Sequence, residues 1–105
     1  MNIAGVKYRV VLLAPGTPDP EGMDPQDEGW CDYETGTIYV RCSVNPSRQH
    51  ATLVHEIVHA ALEGSGAQWL LGQLCAKAGR DVDEVEETLV RMLAPALTEV
   101  VRVYG

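Results

Sequence analysis

The sequence predicts an α+β domain in which a small antiparallel or mixed β-sheet packs against three helices. The first observation behind this prediction is the order of the patterns, because strand-like segments come first and helix-like segments follow. The second is the length of 105 residues, which is typical of a single domain. We find no internal repeat and no linker, so residues 1–105 are interpreted as one domain.

Three segments in the first half have the composition of β-strands. Residues 5–14 alternate apolar and charged side chains and then become continuously apolar, which predicts a strand. Residues 37–42 (TIYVRC) are dense in β-branched and aromatic side chains, and residues 30–33 form a shorter candidate beside them. The Glu-Thr-Gly turn between these two segments predicts a hairpin. Residues 15–29, rich in Pro, Gly and Asp, predict a long loop.

The first helix has clear start and stop signals. Asn45 is a good capping residue, and Pro46 suits the first helical position. The helix is predicted over residues 47–63, and the Gly-Ser-Gly that follows ends it.

Two further helices are predicted in the last third of the chain. One covers residues 67–77, and the other runs to about residue 103 after a cap at Asp81 or Asp83. Pro95 lies inside this last helix, where it lacks a backbone donor and is expected to cause a kink.

The first helix carries the pattern His-Glu-x-x-His at residues 55–59. His55 and His59 are separated by four positions, so both imidazoles lie on one helix face and can reach one ion. Zinc accepts imidazole nitrogen and keeps a position for water in catalytic sites. Glu56 lies beside that water, as expected of the general base in a metallopeptidase. The pattern predicts one Zn²⁺ ion held by both histidines.

Catalytic zinc sites need a third protein ligand, and the sequence leaves its identity open. His50 is five positions before His55 and therefore lies off the ligand face. The third helix offers carboxylates, of which Glu86 and Glu87 border its apolar stripe on opposite sides. Either carboxylate could turn towards a metal, whereas Asp83 and Glu84 fit a first turn that favours the helix dipole.

The composition excludes some classes of function. A formal net charge of −7 and the absence of a basic run argue against nucleic-acid binding. No segment is long and apolar enough for a membrane span, and no signal peptide is recognised. The odd number of cysteines predicts a reducing compartment, so a cytoplasmic location is expected. Cys31 and Cys42 are expected on paired strands and could face each other, without a role in zinc binding.

The run CDYETGTIYVRCSVNPSRQHATLVHEIVHAAL, followed by VDEVEETLVRMLAPAL, resembles small phage- and prophage-type minimal metallopeptidases of the gluzincin kind, which are distantly similar to ImmA/IrrE-type peptidases. The resemblance implies a minimal zincin-like fold with one zinc ion. It also implies Glu87 as third ligand ahead of Glu86. The segment 37–40 would then form the sheet edge beside the zinc cleft and hold an extended peptide.

These observations lead to two main hypotheses. The first is a zinc-dependent peptidase that acts on a peptide or protein substrate. The second is a non-catalytic zinc-binding domain that acts by binding a protein partner. A DNA-associated protease of the SprT-like kind is disfavoured by the acidic charge. Tyr39, Tyr33 and His50 are the candidates for stabilising an oxyanion near the metal.

Overall fold

The computed structural model describes the backbone of residues 1–42 and 45–104 and the side chains of residues 1–42 and 45–98. It confirms the predicted α+β class. The elements in chain order are β1 (Asn2–Ile3), β2 (Val6–Lys7), β3 (Arg9–Leu13), β4 (Gly29–Asp32), β5 (Thr37–Arg41), α1 (Pro46–Gly64), α2 (Ala67–Ala78) and α3 (Val82–Tyr104).

The main sheet has three strands in the order β3-β5-β4. Strand β4 pairs with β5 in antiparallel orientation, which confirms the predicted hairpin. Strand β3 pairs with the other side of β5 in parallel orientation, with Arg9 opposite Thr37. The sheet is therefore mixed. The expectation that residues 37–40 form the sheet edge is wrong, because β5 is central and β4 is an outer strand. The buried Ile38 and Val40 fit this position, since central strands are apolar on a fully covered face.

The predicted strand over residues 5–14 is divided in two. Its first part, β2, folds back on β1 through a turn in which Ala4 and Gly5 both have positive φ. Its second part, β3, joins the main sheet after Tyr8, whose side chain is buried. The backbone amide of Tyr8 donates to the Met1 carbonyl, so the chain leaves the small hairpin and enters the sheet at this residue.

The predicted loop is irregular from Ala14 to Glu28, and Arg41 holds it in place. The Arg41 guanidinium donates to the backbone carbonyls of Asp24 and Asp27 and pairs with the carboxylate of Asp19. The hydrogen bond from Arg41 holds the pKa of Asp19 below its ordinary value. Because one side chain on the central strand contacts three points of the loop, the loop is fixed relative to the main sheet.

Helix α1 lies on the sheet, and α2 and α3 pack on α1 and on one another. Asn45 caps α1 as predicted, since its side chain accepts a hydrogen bond of 2.9 Å from the Arg48 amide. Asp81 caps α3 by accepting from the amides of Asp83 and Glu84, so Asp81 is the cap of the two that were considered. The helix continues through Pro95.

Two apolar clusters fix α1 between the sheet and α3. The first joins α1 to the strands and contains Ile3, Tyr8, Cys31, Ile38, Val40 and Ala60. The second joins α1 to α3 and contains Val54, Val58, Val90 and Ala94. Because Val54 and Val58 are one turn apart and contact α3, the second cluster determines which side of α3 faces the histidines. Among the described residues, no helix combines the length and the apolar character that crossing a membrane requires.

Candidate metal centre

His55 and His59 project from one face of α1 towards a single carboxylate on α3. The Nε2 atom of His55 lies 2.9 Å from Oε1 of Glu87, and the Nε2 atom of His59 lies 3.0 Å from Oε2 of the same residue. The ligand atoms of these three residues all lie within 4.8 Å of one another. The group could hold a metal ion.

The chemistry of this donor set suits zinc. Two imidazole nitrogens and one carboxylate oxygen are a combination found in catalytic zinc sites, which leave the fourth position to water. Ligand atoms around a tetrahedral zinc ion are about 3.3 Å apart, given metal–ligand bonds of roughly 2.0–2.1 Å. Because the His–Glu distances here are 2.9 and 3.0 Å, a small outward movement of these side chains would accommodate the ion.

Glu86 contacts the other nitrogen of the His59 ring from the one that faces Glu87. Its Oε2 atom lies 3.0 Å from Nδ1 of His59, on the side of the ring opposite Glu87. A carboxylate there accepts a hydrogen bond from Nδ1–H, so Nε2 keeps its lone pair for a metal ion. The structure therefore separates the two candidates that the sequence left open: Glu87 belongs to the metal group, and Glu86 orients His59.

Glu56 is one residue after His55 and points into a more enclosed environment. The residue is 8% exposed. Burial raises the pKa of Glu56 to about 7; the carboxylates of Glu87 and Asp27 also raise it, and His59 opposes them. A carboxyl group with a pKa near neutrality can both accept and return a proton at physiological pH. Burial also lowers the pKa of His55, which favours the neutral imidazole that binds metals.

Gly29 lets strand β4 approach α1 closely at this point. A Cβ atom on Gly29 would lie 2.5 Å from Cγ2 of Thr52, 3.1 Å from the Tyr39 carbonyl oxygen and 3.2 Å from Cγ of Glu56. Any other residue would thus collide with the helix that carries the motif. The absence of a side chain at position 29 is what brings the strand against Glu56.

The metal group opens into a cleft of about 700 Å³ between β4, α1 and α3. The end of the loop forms one wall, and it is tied to α1 because Arg48 pairs with Glu28. The other lining residues are Gln26, Asp27, Gly29, Trp30, Ala51, Thr52, His55, Glu56, His59, Glu87 and Arg91. The sheet edge beside the cleft is therefore β4, at Gly29 and Trp30, rather than the expected residues 37–40.

None of the three oxyanion candidates lines this cleft. Tyr33 lies near enough to the site that the Glu86 and Glu56 carboxylates add to the effect of burial in raising the pKa of its hydroxyl group. Tyr39 stacks on Trp30 with 5.9 Å between the ring centroids, and together with Tyr33 it lines a separate cavity. The Nε2 atom of His50 is buried, and among the described side chains it has no hydrogen-bond partner. Sequence reasoning missed Arg91, which lines the cleft and lies 3.4 Å from Glu87. An arginine four residues after a glutamate has the same pattern as an ordinary surface ion pair.

The cysteines take no part in the site. All three are free thiols, and the strand register places Ile38 opposite Cys31. The expectation that Cys31 and Cys42 could face each other is therefore wrong, because Cys42 lies beyond the end of β5.

Comparisons with protein-family models, with curated proteins and with solved structures find no match to this chain.

Proposed function

We propose that this protein is a peptidase that uses one zinc ion held by His55, His59 and Glu87, with Glu56 as general base. The observation that carries the proposal is the position of a buried carboxyl group beside the three-residue metal group in one open cleft. A structural zinc site would be closed by a fourth protein ligand, whereas the described residues supply three.

Zinc in this group would lower the pKa of a coordinated water towards neutrality and polarise a substrate carbonyl. Glu56 is suited to remove the proton from that water, because burial keeps its pKa near 7. Glu86 holds His59 in the tautomer that presents Nε2. Gly29 lets strand β4 lie close to Glu56, which lines the same cleft as the three metal-group residues.

The substrate class follows from the strand beside the cleft. Strand β4 pairs with β5 on one side, and its other side is an outer edge of the sheet. An extended peptide could add to this edge through its backbone and bring a peptide bond to the metal group. This arrangement, together with the resemblance to gluzincins, favours a peptide or protein substrate over a small molecule. The alternative, a non-catalytic zinc-binding domain, predicts that Glu56 has no role.

The test combines metal analysis with substitution of the proposed base. Glu56→Gln removes the proton acceptor but keeps the size of the side chain. We expect one zinc per wild-type chain, the same zinc content in Glu56→Gln, and loss of peptide cleavage by a factor of at least 100 on a denatured-protein or peptide-library substrate. Glu63→Gln, an exposed change on the same helix, is the control. Equal cleavage by wild type and Glu56→Gln, or cleavage that persists without metal, would contradict the proposal.

A further inference from the structure

A second cavity continues the metal cleft along the groove between α1 and α3. Its volume is about 370 Å³, and it is lined by Ala51, His55, Arg91, Ala94, Pro95 and Thr98. Three of these residues, Ala51, His55 and Arg91, also line the metal cleft. The two cavities therefore share a wall at a metal ligand, and a molecule bound at the metal can extend into the second one.

The groove exists because small side chains lie where the two helices face each other. Ala51 is one turn before His55 on α1, and Ala94 and Pro95 lie one turn beyond Arg91 on α3. Beside the groove, the contact between the helices is filled by larger side chains, since Val54, Val58 and Val90 pack together with Ala94. Alanine and proline at these positions leave a side-chain-sized space that larger residues would close.

The walls of this cavity are mostly apolar. The hydroxyl of Thr98 donates to the Ala94 carbonyl at 2.7 Å, so its polar group is already bonded and its methyl group is left to contact a ligand. The guanidinium of Arg91 and the imidazole of His55 lie on the side shared with the metal cleft. An apolar pocket with its polar groups at the mouth fits the side chain of a residue whose backbone lies at the metal.

We propose that this pocket binds an aliphatic or aromatic side chain of the substrate residue adjoining the cleaved peptide bond, and so determines specificity. This inference rests on the proposed function, because it takes the metal group as the place of the reaction. Ala51 is the specificity-determining residue that can be changed with least disturbance, since it is exposed on the helix and leucine has nearly the same helix propensity as alanine.

The test uses two metal-binding probes that differ in one side chain. Acetohydroxamate provides the metal-binding group alone, and 4-methylpentanohydroxamate adds only an isobutyl group to it. Calorimetric titration of the zinc-loaded wild type is expected to show binding of 4-methylpentanohydroxamate at least tenfold tighter. Ala51→Leu should bring the ratio of the two affinities close to one, because the larger side chain would occupy the pocket while the three metal ligands are unchanged.

Ala76→Leu, an exposed alanine of α2 away from both cavities, is the matched control and should retain the wild-type difference. In a peptide library, the wild type should favour Leu, Met or Phe next to the cleaved bond, and Ala51→Leu should shift the preference to Gly or Ala. A zinc-loaded wild type that binds both hydroxamates equally would contradict the proposed role of the pocket but not the proposed function. Zinc analysis and a cleavage assay on the same preparation separate this from failure of the proposed function, in which the protein either retains no metal or holds zinc without cleaving peptides.

Discussion

The α-carbon of Gly29 faces the side chain of Glu56 across the contact between β4 and α1. A Cβ atom at position 29 would lie 3.2 Å from Glu56 Cγ and 2.5 Å from Thr52 Cγ2. Strand β4 and helix α1 are thus in close contact. On the strand side this contact is made by backbone atoms, and on the helix side by the side chains of Thr52 and Glu56. The close approach of β4 to the Glu56 side chain therefore depends on a residue that is distant in sequence and has no side chain.

Gly29→Ala should impair both stability and activity. The new methyl group collides with Thr52 and the Tyr39 backbone, so β4 must move away from α1. We expect a loss of about 1–3 kcal/mol in the free energy of unfolding, measured in urea. Cleavage should fall more than the zinc content does, since the metal group lies on α1 and α3. Gly72→Ala in α2 is the control; a Cβ there meets only Val82 at 4.0 Å, and alanine in a helix should stabilise by up to about 1 kcal/mol. Unchanged cleavage by Gly29→Ala would show that the close approach is not required.

Substitutions of Glu86 and Glu87 should weaken metal binding to different degrees. Glu87→Ala removes the carboxylate that lies beside both Nε2 atoms and is expected to abolish stoichiometric zinc binding. Glu86→Gln keeps the shape but weakens the acceptor for His59 Nδ1, and we expect a 10–100-fold lower affinity in competition with a chelator. Glu84→Gln, an exposed change in the same helix, should bind zinc like wild type. A larger loss of zinc affinity in Glu86→Gln than in Glu87→Ala would instead identify Glu86 as the third metal ligand.

Removal of the metal should lower the stability of the domain. The ligands come from α1 and α3, so an ion would link two helices that otherwise meet through the Val54–Val90 cluster. Free zinc at about 100 times its dissociation constant would add roughly 2.7 kcal/mol to the free energy of unfolding. Thermal unfolding with and without a chelator measures this difference. Glu87→Ala should unfold at the same temperature in both conditions, and a chelator effect in that variant would place the metal elsewhere.

The three thiols should differ in reactivity. Burial raises the pKa of Cys31 to about 12, so its thiolate is scarce at pH 8. Cys75 is also buried, whereas Cys42 is only partly covered. We expect native protein treated with iodoacetamide at pH 8 to be modified first at Cys42, as followed by peptide mass spectrometry. In urea all three should react at similar rates. Modification of native Cys31 as fast as Cys42 would show that β4 opens readily.

The helices were predictable from sequence because their signals are local. Asn45 and Pro46 fix the start of α1, and Asp81 caps α3, so the predicted bounds agree with the structure within two residues. The motif face was predictable for the same reason, since it depends on helix geometry alone. The choice between Glu86 and Glu87 was not. Adjacent positions point about 100° apart on a helix, and only the packing between α1 and α3 determines which one faces His55.

The sheet was predicted less well because its pairing is not local. The hairpin of β4 and β5 follows from a short turn, but the pairing of β3 with β5 joins residues that are 28 positions apart in sequence. No local pattern distinguishes a central from an outer strand when the third strand comes from so far away. The same limitation hid the role of Gly29, whose neighbours at Thr52 and Glu56 come from another element.

The parallel pairing of β3 with β5 has a consequence for the order of assembly. The β4–β5 hairpin can close at once, because its strands are joined by a tight turn, whereas β3 must wait until β5 is in place. Contacts between residues far apart in sequence form slowly, since the entropy of closing the intervening segment is lost before the contact compensates for it. Strand β3, which comes first in the sequence of the main sheet, is therefore expected to pair last. Until it does, the backbone groups along one edge of β5 have no partner strand.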